Sequence, residues 1–326
     1  MRVLVTGGGG YIGSVITEEL VRTGHEVTVF DNLSKGHREA IGSGVYFVQA
    51  DLSDSAVLQS TMREQKIEAV IHMAASSLVG ESMQNPREYY RNNVEIGIGL
   101  LNAMRDSNVD TIVFSSTAAV YGEPAKQPIV ETDRTQPTNP YGETKLTFEK
   151  MLYWYNRIYG LKYTALRYFN AAGATEQNGE VHDPETHIIP AILQVAQGKK
   201  PYVELFGDDY PTRDGTCVRD YIHVIDLARA HILALKPNSG RSSVFNLGCG
   251  GDGYSVKEVL DTARTITGHP IPARVAARRP GDPAVLIASS TRIQNELGWN
   301  PQYQDLSVII QSAWKWMVAH PNGYKS

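Results

Sequence analysis

Short apolar runs alternate with longer stretches of helical periodicity through the first half of the chain. Residues 2–6 (Arg-Val-Leu-Val-Thr) are too short for a helix, whereas 11–23 repeat apolar positions at helical spacing until Gly24. Val27–Asp31 is a second run, and 45–48, 69–73 and 110–115 supply three more, separated by helix-like stretches near 54–65 and 86–106. A helix over 141–159 and a strand over Tyr163–Leu166 follow. Strands that are apolar throughout are buried on both faces, and their alternation with helices predicts an α/β fold around a doubly wound parallel sheet.

After Asn170 the pattern changes. Residues 171–186 are rich in Gly, Ala, Glu and Asp, and 207–221 read as loop, with a helix over His187–Gln197 between them. Further helices are predicted over Asp226–Leu235, over Ser255–Ile266 with Ser255 as cap, and over 305–319, where Trp314 and Trp316 read as packing groups. Val244–Leu247 is a late strand. The expected division is residues 1–170 as a nucleotide-binding domain to which later segments return, and 171–326 as mainly a smaller, mixed α/β lobe.

Composition narrows the partners. Apolar residues make up 42% and charged residues 20%, as in ordinary soluble proteins, and 31 basic against 35 acidic residues leave −4 with no dense Lys/Arg block. Neither a nucleic acid nor a membrane is expected as partner. No apolar run reaches the roughly 18 residues of a membrane span. The N-terminus enters a strand at once instead of a signal-peptide core. Cys217 and Cys249, the only cysteines, form neither a zinc knuckle nor a disulfide framework, so a reducing cytoplasm is the expected home. The nine histidines are scattered, His72 reads as a packed core residue, and no metal is predicted.

Gly7-Gly8-Gly9-Gly10-Tyr11-Ile12-Gly13 lies between the first strand and the first helix. Glycines at 7, 10 and 13 permit a tight turn, close approach to a diphosphate and close helix–strand contact, with a helix N-terminus facing the negative charge. The sheet is therefore read as Rossmann-like. Asp31 ends the second strand, where a carboxylate accepts hydrogen bonds from an adenosine ribose and repels a 2′-phosphate, favouring NAD over NADP. Asn32 can add a ribose contact, and Asp51, followed by Leu52, is placed for the adenine edge or serves as a helix cap. His72-Met73-Ala74-Ala75 suits a backbone passing close beneath the cofactor.

Tyr141 and Lys145 stand one helical turn apart, which brings phenol and ammonium to one face. A neighbouring cation favours phenolate and lowers a pKa that is ordinarily about 10. Such a pair can take a proton from a sugar hydroxyl while a nicotinamide takes hydride from the same carbon.

The glycine loop and the Tyr-x-x-x-Lys pair, with Phe114-Ser-Ser-Thr-Ala-Ala-Val-Tyr-Gly122 and Leu166-Arg-Tyr-Phe-Asn-Ala-Ala-Gly-Ala174, resemble the extended short-chain dehydrogenase/reductases. Leu205-Phe-Gly-Asp-Asp-Tyr-Pro-Thr-Arg-Asp-Gly-Thr, Val218-Arg-Asp-Tyr-Ile-His-Val224, Asn246-Leu-Gly, Arg278-Arg-Pro-Gly-Asp282 and Leu297-Gly-Trp299 extend the likeness over almost the whole chain, most closely to the UDP-glucose 4-epimerase family. The resemblance implies reversible interconversion of UDP-glucose and UDP-galactose, with NAD tightly bound and regenerated each cycle. It makes Tyr141 the catalytic base and acid, Lys145 the holder of the nicotinamide ribose, and Thr117, after Ser115 and Ser116, the hydroxyl touching the sugar 4-oxygen. Asn92 is expected at the active-site floor and Tyr168 near the nicotinamide.

In the substrate lobe the resemblance assigns Asn170, Arg219 and Arg279 to the diphosphate, Phe206 to uracil and Asp282 to the uridine ribose, with Tyr221 beside them. Paired guanidinium donors suit phosphate oxygens. It further implies a homodimer through helices near 90–106 and 141–159, with Met104, Phe148, Leu152 and Tyr155 as contacts unless they face their own sheet.

Two departures stand out. Some relatives carry a lysine where this chain has Ser77, and narrow-pocket members carry a tyrosine where it has Leu286, leaving N-acetylated sugars open as substrates. A nucleotide-sugar dehydratase needs further acid/base groups after the threonine, but Thr117 is followed by Ala118-Ala119. UDP-pentoses remain open as substrates. A non-catalytic nucleotide sensor would have little reason to keep Thr117, Tyr141 and Lys145 together.

Overall fold

Seven parallel strands form the centre of the protein, seen in a computed structural model that describes residues 1–236, 242–279 and 282–324. The first stretch runs β1 (Arg2–Thr6), α1 (Tyr11–Arg22), β2 (Glu26–Asp31), β3 (Tyr46–Gln49), α2 (Ser55–Glu64) and β4 (Ala69–His72). It continues through α3 (Val79–Gln84), α4 (Pro86–Tyr90), α5 (Ile96–Asp106), β5 (Thr111–Thr117), α6 (Pro140–Tyr159) and β6 (Lys162–Tyr168). The second stretch comprises β7 (Asn170–Ala172), α7 (Ile188–Ala196), β8 (Val203–Phe206), β9 (Val218–Arg219), β10 (Tyr221–His223), α8 (Val224–Ala234) and β11 (Ser243–Leu247). It closes with β12 (Tyr254–Ser255), α9 (Val256–Thr267), β13 (Ala273–Ala276), β14 (Val285–Leu286), α10 (Thr291–Leu297) and α11 (Leu306–Ala319).

The large sheet has the order β11-β6-β5-β4-β1-β2-β3, each neighbouring pair parallel. The chain moves outward from β1 through β2 to β3 and then returns to β4 on the other side of β1. That reversal opens a crevice beyond the carboxyl ends of β1 and β4, where open α/β sheets bind ligands. Strand residues alternate between two cores. Val3, Val5, Val29 and Ile71 pack against Val15, Ile16 and Leu20 of α1 and Leu227 of α8. Leu4, Phe30, Val70 and Phe114 pack on the opposite side against α2, α5 and α6. Burial on both faces accounts for the apolar strands.

Met104, Phe148 and Leu152 belong to this second core and are fully buried, so they face their own sheet and not a partner. The exposed apolar residues on the same helices are Ile98, Tyr153, Trp154, Ile158 and Tyr159. The single helix expected near 86–106 is divided by a π-helical turn at Arg91–Glu95. Helices α3 and α10 had no clear periodic signal, being six and seven residues long.

The remaining strands make small sheets: β10 with β7, β13 with β8, and β9 between β12 and β14. Helices α7, α9 and α11 pack a third core around Ile192, Leu193, Val259, Leu260, Ile309 and Ile310. Ser255 caps α9 in a capping box with Glu258, as its sequence position predicts. Among the described residues no helix is long and apolar enough to cross a membrane.

Candidate active site

The β1–α1 turn is built around main-chain contact. Gly7 has φ +73°, and a Cβ placed there would lie 2.6 Å from the Ala74 nitrogen beyond β4. A Cβ on Gly13 would lie 2.2 Å from the Gly7 carbonyl oxygen. Both positions exclude a side chain, and the turn lies at the crevice of the sheet. Gly10 precedes α1 and accepts a hydrogen bond from the Ser14 nitrogen at 2.9 Å. Tyr11 and Ile12 open the helix against the core, and the Met73 nitrogen donates to the Thr6 carbonyl at 3.0 Å, with Ala74 and Ala75 following. Asp31 braces the turn: its two carboxylate oxygens accept from the nitrogens of Gly9 and Leu33 at 2.9 and 2.8 Å.

Asn32 donates to Asp51 at 2.7 Å, joining the ends of β2 and β3. Hydrogen bonds from Ser53 hold the Asp51 carboxyl below its ordinary pKa. Leu52 turns into the apolar core. A cradle closed to Cβ atoms, a carboxylate at the end of β2 and a helix N-terminus together fit a dinucleotide.

Strand β5 runs two residues further than periodicity suggests and carries Ser115, Ser116 and Thr117 to its carboxyl end. Helix α6 starts beside it, capped by Asn139, whose side chain accepts from the Gly142 nitrogen at 2.9 Å. Lys145 is buried, donates to the Ser115 carbonyl at 2.8 Å and lies 4.9 Å from the Phe114 ring centre. Its nitrogen is 6.0 Å from the centre of the Tyr141 ring. Burial lowers the Lys145 pKa to about 7, against the opposing charge of Glu149.

The expectation for Tyr141 needs correction. Burial pushes its phenol above the ordinary value, and the group pulling it back is the Thr117 hydroxyl. Spacing placed the ammonium on the right face, but burial removes much of its leverage.

Ser115 is hydrogen-bonded to Tyr168, so these two expected cofactor contacts meet. Asn92 reaches Ser76 at 2.9 Å and Glu88 at 3.0 Å from the π-helical turn. Its neighbour Asn93, which the sequence did not single out, donates to the Ser76 carbonyl and to Thr144 of α6, both at 3.0 Å. A buried polar network also escaped the sequence reading. Arg167 of β6 pairs with Glu149 of α6 at 2.9 Å, Ser116 donates to Glu149, and Tyr121 links Arg167 to Asn246. The only local signal was Glu149 one turn after Lys145; its partners come from distant strands.

In the second lobe Arg219 pairs with Asp282. Arg279 lies over the Phe206 ring at 4.1 Å. The Asp282 nitrogen donates to the Arg279 carbonyl at 3.2 Å, so four expected substrate residues share one locale. Asn170 reaches the Asp220 carbonyl at 3.1 Å, beside Tyr221. The Tyr221 hydroxyl is buried without a hydrogen-bond partner, leaving a donor that a ligand can engage. Leu286 stands in register with Arg219 and packs with Phe169 on Val120, Tyr121, Ile129 and Leu146. Ser77 is exposed.

His72 is buried as expected, bonded to Thr6 at 2.8 Å and stacked on Phe114. The histidines are not all scattered, however: His182 and His187 converge with Glu180 and Glu185. Cys217 and Cys249 are free thiols.

A model of the NAD dependent epimerase/dehydratase family matches residues 3–248. The UDP-glucose 4-epimerase of Halalkalibacterium halodurans is 54% identical over 100% of this chain and 98% of its own length. The crystal structure of UDP-glucose 4-epimerase from Brucella ovis in complex with NAD has a TM-score of 0.93 at 46% identity, covering 96% of this chain and 97% of that one. The enzyme from Bifidobacterium longum in complex with NAD+ and UDP has a TM-score of 0.94 at 38% identity, covering 99% and 100%.

Proposed function

The chain belongs to the NAD dependent epimerase/dehydratase family, and we propose that it interconverts UDP-glucose and UDP-galactose by reversible oxidation at C4 of the sugar. The observation that carries this reading is the buried Lys145, which donates to the Ser115 carbonyl near the end of β5, two residues before Thr117, and lies 6.0 Å from the Tyr141 ring centre. Ala118 and Ala119 follow Thr117 and offer no second proton carrier, which disfavours dehydration.

NAD, when bound, supplies the acceptor and donor of hydride. The Gly7–Gly13 turn and Asp31 would hold its diphosphate and adenosine ribose, with Asn32 and Asp51 at the adenosine end. Lys145, Ser115, Asn92 and Tyr168 would line the nicotinamide end. Tyr141 takes the C4 hydroxyl proton and, once the sugar has turned and hydride has returned to the other face of C4, gives a proton back to the C4 oxygen, while Thr117 orients that oxygen. Arg219, Arg279 and Asn170 hold the diphosphate, Phe206 the uracil and Asp282 the uridine ribose, with Tyr221 beneath. Anchoring UDP while the 4-keto hexose turns about its diphosphate bonds exposes both faces of C4 to one fixed site. Held by these residues, the dinucleotide would be regenerated within each cycle and remain tightly bound.

Incubation with UDP-galactose followed by separation of the products tests the reading; UDP-glucose is expected. Tyr141→Phe should lower turnover by about 10²–10⁴-fold while bound NAD and UDP are retained. Turnover near the parent rate would remove Tyr141 from its role.

The exposed band of Ile98, Tyr153, Trp154 and Ile158 on α5 and α6 supports a homodimer through these helices. Sedimentation showing only a 35.9 kDa species at micromolar concentration would overturn that assembly. A nucleotide-sugar substrate and two free thiols agree with a cytoplasmic location.

A further inference from the structure

Glu180, His182, Glu185 and His187 place one donor atom each within 4.8 Å of all the others. Glu180 Oε1 lies 3.1 Å from His182 Nδ1 and 2.6 Å from His187 Nδ1. The Glu185 oxygens lie 3.8 Å from His182 Nδ1 and 3.5 Å from His187 Nδ1. Ligands at zinc bond lengths of roughly 2.0–2.2 Å in a tetrahedron are separated by about 3.3–3.6 Å, the middle of this range. The carboxylates are only 7% and 3% exposed, so two negative groups face each other out of water. His182 Nδ1 is buried with no partner that satisfies it as a hydrogen bond, although Glu180 Oε1 lies 3.1 Å away.

We propose that these four side chains form a binding site for a divalent transition-metal ion, with zinc as the fitting chemistry. Two carboxylates and two neutral imidazoles around a dication carry no net charge, which suits a nearly buried site. A set of two nitrogens and two oxygens matches zinc better than calcium or magnesium, which prefer oxygen shells. The competing arrangement is an imidazolium held by carboxylates. Although burial opposes the charge, Glu180 and Glu185 raise the His187 pKa to about 10. One imidazolium still leaves a net negative charge among the four groups, and it gives His182 Nδ1 no partner.

The location gives the ion a task. His187 immediately precedes α7 in the second lobe, and the His182 ring meets Tyr11, the first residue of α1, edge-on at 6.5 Å. Tyr11 in turn donates to the Gly173 carbonyl at 2.7 Å. The ion would fix the shape of the 180–187 loop and with it the His182 ring that packs against Tyr11. A cavity of about 550 Å³ lined by Glu180, His182, Glu185, Lys199 and His320 gives access.

The test uses the holoenzyme stripped with a chelator, given equimolar zinc chloride and passed through a desalting column. About one zinc per chain should remain by elemental mass spectrometry. His182→Ala and Glu185→Gln should each reduce retention by more than about tenfold, with bound NAD reporting that the variants fold. Zinc at about a hundredfold excess over its Kd should raise the parent Tm by about 4 °C and leave the variants unmoved. Zinc absent from the parent, or retained equally by the variants, would overturn the site. Should the variants lose NAD, cobalt(II) in the parent decides: the intense visible bands of a four-coordinate site support the proposal, and their absence sinks it.

Discussion

At the glycine turn the groups offered to a ligand are main-chain N–H groups and a helix end; in the second lobe they are guanidinium, aromatic and amide side chains. Gly7 and Gly13 work by leaving room, each closed to even one added carbon. Arg219 and Arg279, proposed to reach a diphosphate, are each held by a neighbour: Asp282 for the first and the Phe206 ring for the second. A main-chain cradle is fixed once the strand and helix are fixed. A side-chain cradle needs a partner for every charge and can be retuned one residue at a time.

Between the two stands the chemistry, and the largest expected effect is that of Tyr141→Phe, which should separate turnover from both cradles. Gly13→Ala comes next. Its Cβ meets the Gly7 carbonyl, so affinity for NAD should fall by about 5–160-fold, and less NAD should be released from the purified variant on denaturation. UDP binding by calorimetry should survive. Loss of both ligands together would show that the cradles are not independent. Arg219→Lys keeps the charge but loses the paired donors, and should raise the KM for UDP-galactose by about 10–100-fold with NAD content unchanged. An unchanged KM would remove Arg219 from the diphosphate.

Leu286→Tyr should have a smaller effect. UDP-N-acetylglucosamine is expected to be accepted by the parent weakly or not at all, and tyrosine should suppress any such reaction several-fold more than the UDP-galactose reaction. Equal losses would show that position 286 is no size gate. The mildest effect is that of acid, to which both cradles are common. Burial lowers His72 to about 3 and His223 and His231 to about 4. An imidazole whose folded pKa lies below its unfolded value of about 6.5 contributes stability that is full above that pH and is lost as pH falls toward 4. The urea midpoint should therefore decline from pH 6.5 to 5. A flat profile would contradict the neutral, buried state of these rings.

The same contrast explains what the sequence could disclose. The large sheet was legible because Val3, Val5, Val29 and Ile71 belong to runs long enough to show burial on both faces. The glycine turn was legible because its parts are contiguous. In the second lobe the helices α7, α9 and α11 were legible but the small strands were not: β9, β12 and β14 are two residues each, and no periodicity exists at that length. The individual residues Arg219, Asp282, Phe206 and Arg279 were found through a family likeness, yet their pairing needed coordinates. Glu149 with Arg167 escaped for the same reason. For Tyr141 the failure was of another kind, since spacing reports which groups are neighbours and not how much water surrounds them. Glu180, His182, Glu185 and His187 were in plain view within eight positions, but their convergence depends on the turn between them.

Strand β11 pairs with β6 after an excursion of some seventy residues that builds much of the second lobe. The protein is thus stitched and not hinged: the thread leaves one body, shapes the other, returns, and leaves again. Two bodies sewn through several seams resist swinging apart. On the proposed reading the sugar is the part that turns, between walls that the chain joins at each crossing. A cut between Tyr168 and Ser243 should leave no half able to stand alone.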